Sequence, residues 1–90
     1  MPTRHLTIIN KLGLHARAAA KFVAVAQKHG CQVQIGKCEN TLVDGKSIMQ
    51  VMMLAASKGT DICICCEGDQ AEQALEDLEC LINNYFDEGE

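Results

Sequence analysis

The hydrophobic period of this chain switches repeatedly between two values, which restricts its folds more than composition does. From Cys31 to Lys37 apolar and polar residues alternate, with Cys31, Val33 and Ile35 on one side and Gln32, Gln34 and Gly36 on the other. Such alternation is a half-buried strand. It returns from Asp61 to Glu67, with Ile62, Ile64 and Cys66 turned inward. Between and around these strands the period is helical. Residues 16–28 are rich in strong helix formers, and Ala19, Phe22, Val23 and Ala26 give an i, i+3, i+4, i+7 stripe before His29 and Gly30 close the segment. Ser47 and Gln50, in capping-box spacing, open a short helix to Leu54. Asp69 and Glu72 repeat that spacing before a stripe of Ala74, Leu75, Leu78, Leu81, Ile82 and Tyr85. Residues 4–9 read as a first strand and residues 40–43 as a short one, with Asp44 and Gly45 as a turn.

The order is βαββαβα over residues 1–90, one domain of the α+β class. Polar alternate positions on two strands leave one sheet face to water, so the helices should cover the other in an open-faced sandwich. Periodicity alone does not separate this from a ferredoxin-like sheet with an extra helix.

Charge is divided along the chain. Residues 1–60 hold all eight Lys and Arg against Glu39 and Asp44, a balance of +6, whereas residues 61–90 carry ten acids and no Lys or Arg. The acids from Glu67 to Glu79 dress a solvated helix, and the basic half suits an acidic protein partner. Nucleic acid fits poorly, because three aromatics and a net charge of −4 supply neither stacking platforms nor a dominant basic field. No apolar run is long enough for a membrane helix, and the first residues lack the apolar segment of a signal peptide, so the cytoplasm is expected.

Six cysteines, at 31, 38, 63, 65, 66 and 80, form no C-x-x-C pair and have no histidine at zinc-finger spacing. No metal and no structural disulfide are therefore expected. Strand alternation sends Cys66 inward and Cys63 and Cys65 to the open face, where two separate, accessible thiols should result.

The stretch that carries chemistry is Asn10-Lys-Leu-Gly-Leu-His15-Ala-Arg17. It puts a histidine at the cap of a helix, after a glycine loop and two residues before an arginine. A helix start offers unpaired N–H groups and the positive end of the dipole, both favouring an anion. Arg17 can add a bidentate contact to phosphate oxygens. An imidazole is a nucleophile near neutral pH, and histidine is a poor cap, so helix stability does not account for it. His5 and His29 have no such setting and read as strand-surface and helix-end residues.

That stretch, continued by Ala18 and Ala19, together with Gly45-Lys-Ser-Ile-Met-Gln-Val-Met-Met-Leu-Ala-Ala-Ser-Lys-Gly59, resembles the HPr family of the phosphoenolpyruvate phosphotransferase system. The ending and the early helix also resemble the NPr branch, which serves nitrogen-related regulation, so sugar uptake and regulation stand as alternatives. The resemblance implies a four-stranded antiparallel sheet in order 1-4-2-3 under three helices. It implies phosphorylation of His15 on Nδ1 with Arg17 stabilising the phosphate, Enzyme I as donor and Enzyme II A-type domains as acceptors. No cofactor is implied, and the protein is expected to be a monomeric carrier rather than a turnover enzyme. Ser47 is accounted for by capping alone, while the resemblance adds phosphorylation by a dedicated serine kinase/phosphorylase.

The short helix has too many apolar residues for one buried side. Val51 and Ile48 read as core packing, and Ile48 also joins Met49 and Met52 as partner-docking residues, with Lys21 and Lys46 beside Arg17 as a cationic fringe. Where the family commonly has proline after His-Ala-Arg, this chain has Ala18, which returns an N–H to the first turn. Two other functions compete with the carrier: a thiol- or metal-active domain drawing on Cys63, Cys65 and Cys66, which metal analysis of the reduced protein would detect, and a binding module of the same fold that relays no phosphate.

Overall fold

In a computed structural model, which describes residues 2–88, the elements are β1 (Thr3–Thr7), α1 (Ala16–Gln27), β2 (Gln32–Gly36), β3 (Val43–Asp44), α2 (Ile48–Met53), β4 (Asp61–Glu67) and α3 (Ala71–Asn83), followed by a 3-10 turn at Tyr85–Asp87. The four strands form one antiparallel sheet in the order β1-β4-β2-β3. The expected order and the open-faced α+β sandwich are what is found. β4 is central, pairing Leu6 with Ile62 on one side and Ile35 with Ile64 on the other.

The core lies between one sheet face and the helices. Val33, Ile35, Ile62, Ile64 and Cys66 from the sheet meet Ala19, Phe22, Val23 and Ala26 of α1 and Ala74, Leu75, Leu78 and Ile82 of α3, all buried. These are the residues that the two periods placed inward, because burial of apolar area, about 25 cal/mol per Å², selects the register. Among the described residues no helix is long and apolar enough to cross a membrane.

Several local expectations are corrected. The short strand lies at Val43–Asp44 rather than 40–43, because Thr41 N–H donates to the Cys38 carbonyl and closes a turn there. Asp69 does not cap α3; Gln70, in a left-handed conformation, precedes the helix without a side-chain cap. α3 ends before Tyr85: positive φ at Tyr85, Phe86 and Asp87 turns the chain so that Phe86 is fully buried and Tyr85 stays on the surface. His29 is not an idle helix end. It is largely buried, with Nε2 2.8 Å from Asp77 Oδ2 and Nδ1 3.3 Å from Gln70 Oε1, tying the end of α1 to α3.

The thiols need the largest revision. Cys66 does face the helices, and burial, followed by the neighbouring Cys31, pushes its thiol up to about 12. Cys63 and Cys65 do lie on the other face, yet they are only 1% and 5% exposed, with their sulfurs 3.9 Å apart. They are neither accessible nor independent.

Candidate functional site

The turn before α1 sets the site. Gly13 has φ +70°, and a Cβ there would stand 2.7 Å from the Ala56 carbonyl oxygen and 2.8 Å from the Ser57 Cα. Only glycine fits both the conformation and the approach. Leu14 N–H donates to that same Ala56 carbonyl at 2.8 Å, so the loop rests on the segment that follows α2. Asn10, buried, fixes the loop from within: its Nδ2 donates to the Gly13 carbonyl at 2.8 Å.

His15 emerges from this loop in extended backbone as the N-cap of α1. Its Nδ1 accepts the Arg17 backbone N–H at 3.3 Å, and its Nε2 lies 2.6 Å from Glu88 Oε2. An Nδ1 that accepts must carry a lone pair, so these contacts assign the ring proton to Nε2, which donates to the carboxylate. The arrangement holds the ring in one tautomer, with its basic nitrogen facing the helix start. The first i→i−4 bond of α1 runs from Ala19 N–H to the His15 carbonyl, so Ala16, Arg17 and Ala18 carry the first-turn N–H groups outside that ladder. An anionic group on Nδ1 would meet those donors and the positive end of the helix.

Glu88 was not visible as a site residue in the sequence. It reaches His15 across 73 positions because the left-handed turn at residues 85–87 folds back over α1. Lys21 holds that turn by donating from Nζ to the Phe86 carbonyl at 2.7 Å, and Asn10 Nδ2 reaches Glu88 Oε1 at 3.2 Å. Lys11, Leu12, Arg17, Lys21, Asp87 and Glu88 together line an open pocket beside the histidine. The structure therefore brings Arg17 and Lys21 to His15. It does not bring Lys46, whose Nζ donates at 2.8 Å to the His29 carbonyl just beyond the C-terminal end of α1, a helix about 18 Å long.

Ser47 is the N-cap of α2, its Oγ accepting the Gln50 N–H at 3.3 Å. The box is not reciprocal, since Gln50 Oε1 accepts from Asp44 N–H rather than from Ser47. Val51 is fully buried, but Ile48 is 43% exposed, which corrects its placement in the core. Met49, Met52 and Met53 are exposed with it, and Leu12 adds an exposed apolar side chain on the loop before His15. Few monomer surfaces leave so many large apolar residues on one short helix without a partner to meet them.

Comparison with known proteins speaks to family and fold. The family model for the phosphorylation site of the HPr component of the phosphotransferase system matches residues 2–84. The chain is 62% identical to the phosphocarrier protein HPr of Pseudomonas putida over 90 residues and 48% identical to that of Neisseria meningitidis serogroup A over 90 residues, covering 100% of both partners in each pair. Its fold superimposes on the crystal structure of HPr-C-His from Thermoanaerobacter tengcongensis with a TM-score of 0.91 at 41% identity, covering 98% of each chain. With a matching family model across almost its whole length and relatives of the same name aligned end to end, the chain belongs to the HPr family of phosphotransferase-system phosphocarriers.

Proposed function

We propose that His15 accepts a phosphoryl group on Nδ1 from Enzyme I and passes it to Enzyme II A-type domains. The observation that carries the reading is the pair of contacts on the His15 ring, Arg17 N–H on Nδ1 and the Glu88 carboxylate on Nε2–H. In the forward step the Nδ1 lone pair attacks phosphorus, the bond from phosphorus to the donor breaks, and that electron pair stays with the donor. Nε2 keeps its proton, and the carboxylate supports the positive charge that the ring gains. The new phosphate oxygens replace the lone pair as acceptors for the first-turn N–H groups, and the Arg17 guanidinium supplies a charged fork at the mouth of the pocket. A second nucleophile reverses the sequence. Since the transferred group is held but not consumed, the protein needs no enclosed substrate cavity and no cofactor, and it works in the cytoplasm as a monomer.

The exposed Met49 and Met52, with Ile48, form the apolar part of the docking surface, and Lys21 and Arg17 form its basic edge. Such a surface suits partners that present an acidic rim around an apolar centre. Ser47 starts the same helix, and a phosphate added there by a serine kinase would disturb that docking. Whether the relay feeds sugar uptake or nitrogen-related regulation depends on the acceptors present.

Incubation with Enzyme I, Mg²⁺ and phosphoenolpyruvate should add one acid-labile, base-stable phosphoryl group. His15→Ala should abolish it, while His5→Ala and His29→Ala should retain it. Label persisting on the His15 variant would overturn the assignment.

A further inference from the structure

The sheet face that carries no helix holds a group of side chains for which phosphoryl transfer has no use. Cys63 lies on that face but is only 1% exposed, and the cause is Gly36. Gly36 stands opposite Cys63 in the β2–β4 ladder, and a Cβ on it would lie 2.5 Å from the Thr41 carbonyl oxygen. The missing side chain lets the 37–42 loop fold down beside Cys63 and carry Glu39 with it. From the other edge of β4, His5 stands directly opposite Cys63 in the β1 ladder. A ring nitrogen of His5, a carboxylate oxygen of Glu39 and the Cys63 sulfur consequently lie within 4.8 Å of one another, drawn from three separate segments. The Cys65 sulfur sits 3.9 Å from that of Cys63.

The electrostatics of the group are one-sided. The Cys63 sulfur has the Glu39 carboxylate and the thiols of Cys65 and Cys38 for neighbours. A buried thiol surrounded by a carboxylate and further thiols, with none of these named neighbours cationic, is an environment that a cation would complete.

We propose that His5, Glu39 and Cys63 form a binding site for a zinc-type divalent ion on the open face of the sheet. Thiolate sulfur, imidazole nitrogen and carboxylate oxygen are the three donor types zinc takes, and three protein ligands leave a fourth, solvent-facing position in a tetrahedral site. Zinc bond lengths put neighbouring donors about 3.4–3.6 Å apart. His5 and Glu39 are both exposed and can close the remaining distance by side-chain rotation, while the ladder holds Cys63 in place. Hard ions such as Mg²⁺ and Ca²⁺ want octahedral or larger shells of oxygen and gain nothing from a sulfur. Binding forms a bond from the Cys63 sulfur to the metal and releases the thiol proton to the buffer. Cys65 remains a thiol whose S–H can donate to the coordinated sulfur. Sequence spacing hides such a site, since its donors come from β1, β4 and a loop rather than from one motif.

The test uses the full chain, reduced, titrated with Zn²⁺ in competition with a chromophoric chelator and with Co²⁺ as the spectroscopic probe. The expected result is one ion per chain, a thiolate-to-cobalt absorption band and no competition from Mg²⁺. His5→Ala and Glu39→Gln, both at exposed positions, should each weaken binding at least about tenfold without changing the melting of the metal-free protein. Cys63→Ser should remove the cobalt band, and Cys80→Ser, at an exposed position elsewhere, should change nothing. If Cys63→Ser fails to fold, the two exposed variants decide. Absence of a bound ion at a tenfold excess of Zn²⁺ overturns the proposal. So does an affinity in the His5→Ala and Glu39→Gln variants that stays within twofold of the parent.

Discussion

Helices α1 and α2 both begin at a side chain that accepts a backbone N–H at 3.3 Å, yet the two starts have little else in common. At α2 the acceptor is the Ser47 hydroxyl, one of the best N-caps, and its bond to Gln50 N–H accounts for the residue. At α1 the acceptor is an imidazole, a weak cap, and its second nitrogen is committed to a carboxylate brought from residue 88. The surroundings diverge as well. α1 is flanked by Arg17 and Lys21, whereas α2 presents Ile48, Met49, Met52 and Met53 to solvent. On the proposed function, one start would hold an anion and the other would meet an apolar surface. A histidine stands where a serine would stabilise the helix more, so capping alone does not account for it.

Experiments at five positions break or sharpen that contrast. The largest effect is the loss of acceptance in His15→Ala described above, which should lower the melting temperature less than Ser47→Ala does. Next is Arg17→Ala, which should slow phosphoryl acceptance about 10- to 100-fold by removing the charged fork, with Arg17→Lys recovering only part. Glu88→Gln, in the same assay, should cost about tenfold, because an amide can donate to Nε2 and so draw the ring proton onto Nδ1. Unchanged rates would reduce both residues to a solvated face and a surface contact.

Ser47→Ala reverses the ranking. It should leave the chemistry of acceptance intact but cost about 1 kcal/mol of stability, a fall in Tm of about 4–8 °C for a domain of this size. Ser47→Asp keeps a capping oxygen, so its melting should match the parent, while its added charge beside the methionine surface should slow acceptance from Enzyme I relative to Ser47→Ala. Equal rates for the two variants would confine Ser47 to capping. The smallest effect belongs to Ala18→Pro, which removes one N–H from the first turn of α1. The phosphorylated protein should then hydrolyse about two- to threefold faster, measured as the loss of label over time. An unchanged half-life would show that the Ala18 N–H plays no part in holding the phosphate.

Parts of this contrast were legible in the sequence because their determinants are contiguous. His15, Arg17 and the glycine loop occupy eight residues, and a helix start fixes their relation without any tertiary information. The inward faces of β2 and β4 were equally readable, since a period of two admits one assignment once a core exists. What stayed hidden depends on contacts between distant segments. Glu88 reaches His15 only through three successive left-handed residues, and nothing local marks Tyr85, Phe86 and Asp87 for that conformation. The same turn exchanges Tyr85 for Phe86 in the core, against the helical stripe. The burial of Cys63 was hidden for a related reason: strand alternation says which face a residue takes but not whether a loop from β2 will cover it. Lys46 adjoins the start of α2 but lies away from the His15 ring, because nearness in a motif is not nearness in space.

The position of β4 carries a consequence for how the chain becomes ordered. Strands β1 and β2 are not neighbours; each forms its ladder with β4, which comes after both in the chain. Up to residue 60, the only strand pairing available among the described residues is the short one between β2 and β3. Everything else in the sheet waits for residues 61–67 to insert between two partners already synthesised, closing a loop of more than fifty residues on one side and about thirty on the other. Such long-range closure slows folding relative to a helical bundle of equal length and makes the sheet an all-or-none structure. A fragment ending before Asp61 would leave β1 with no strand to pair with. The loop that presents His15, seated on Ala56 from one side and tethered to β1 on the other, takes its final shape only as that central strand arrives.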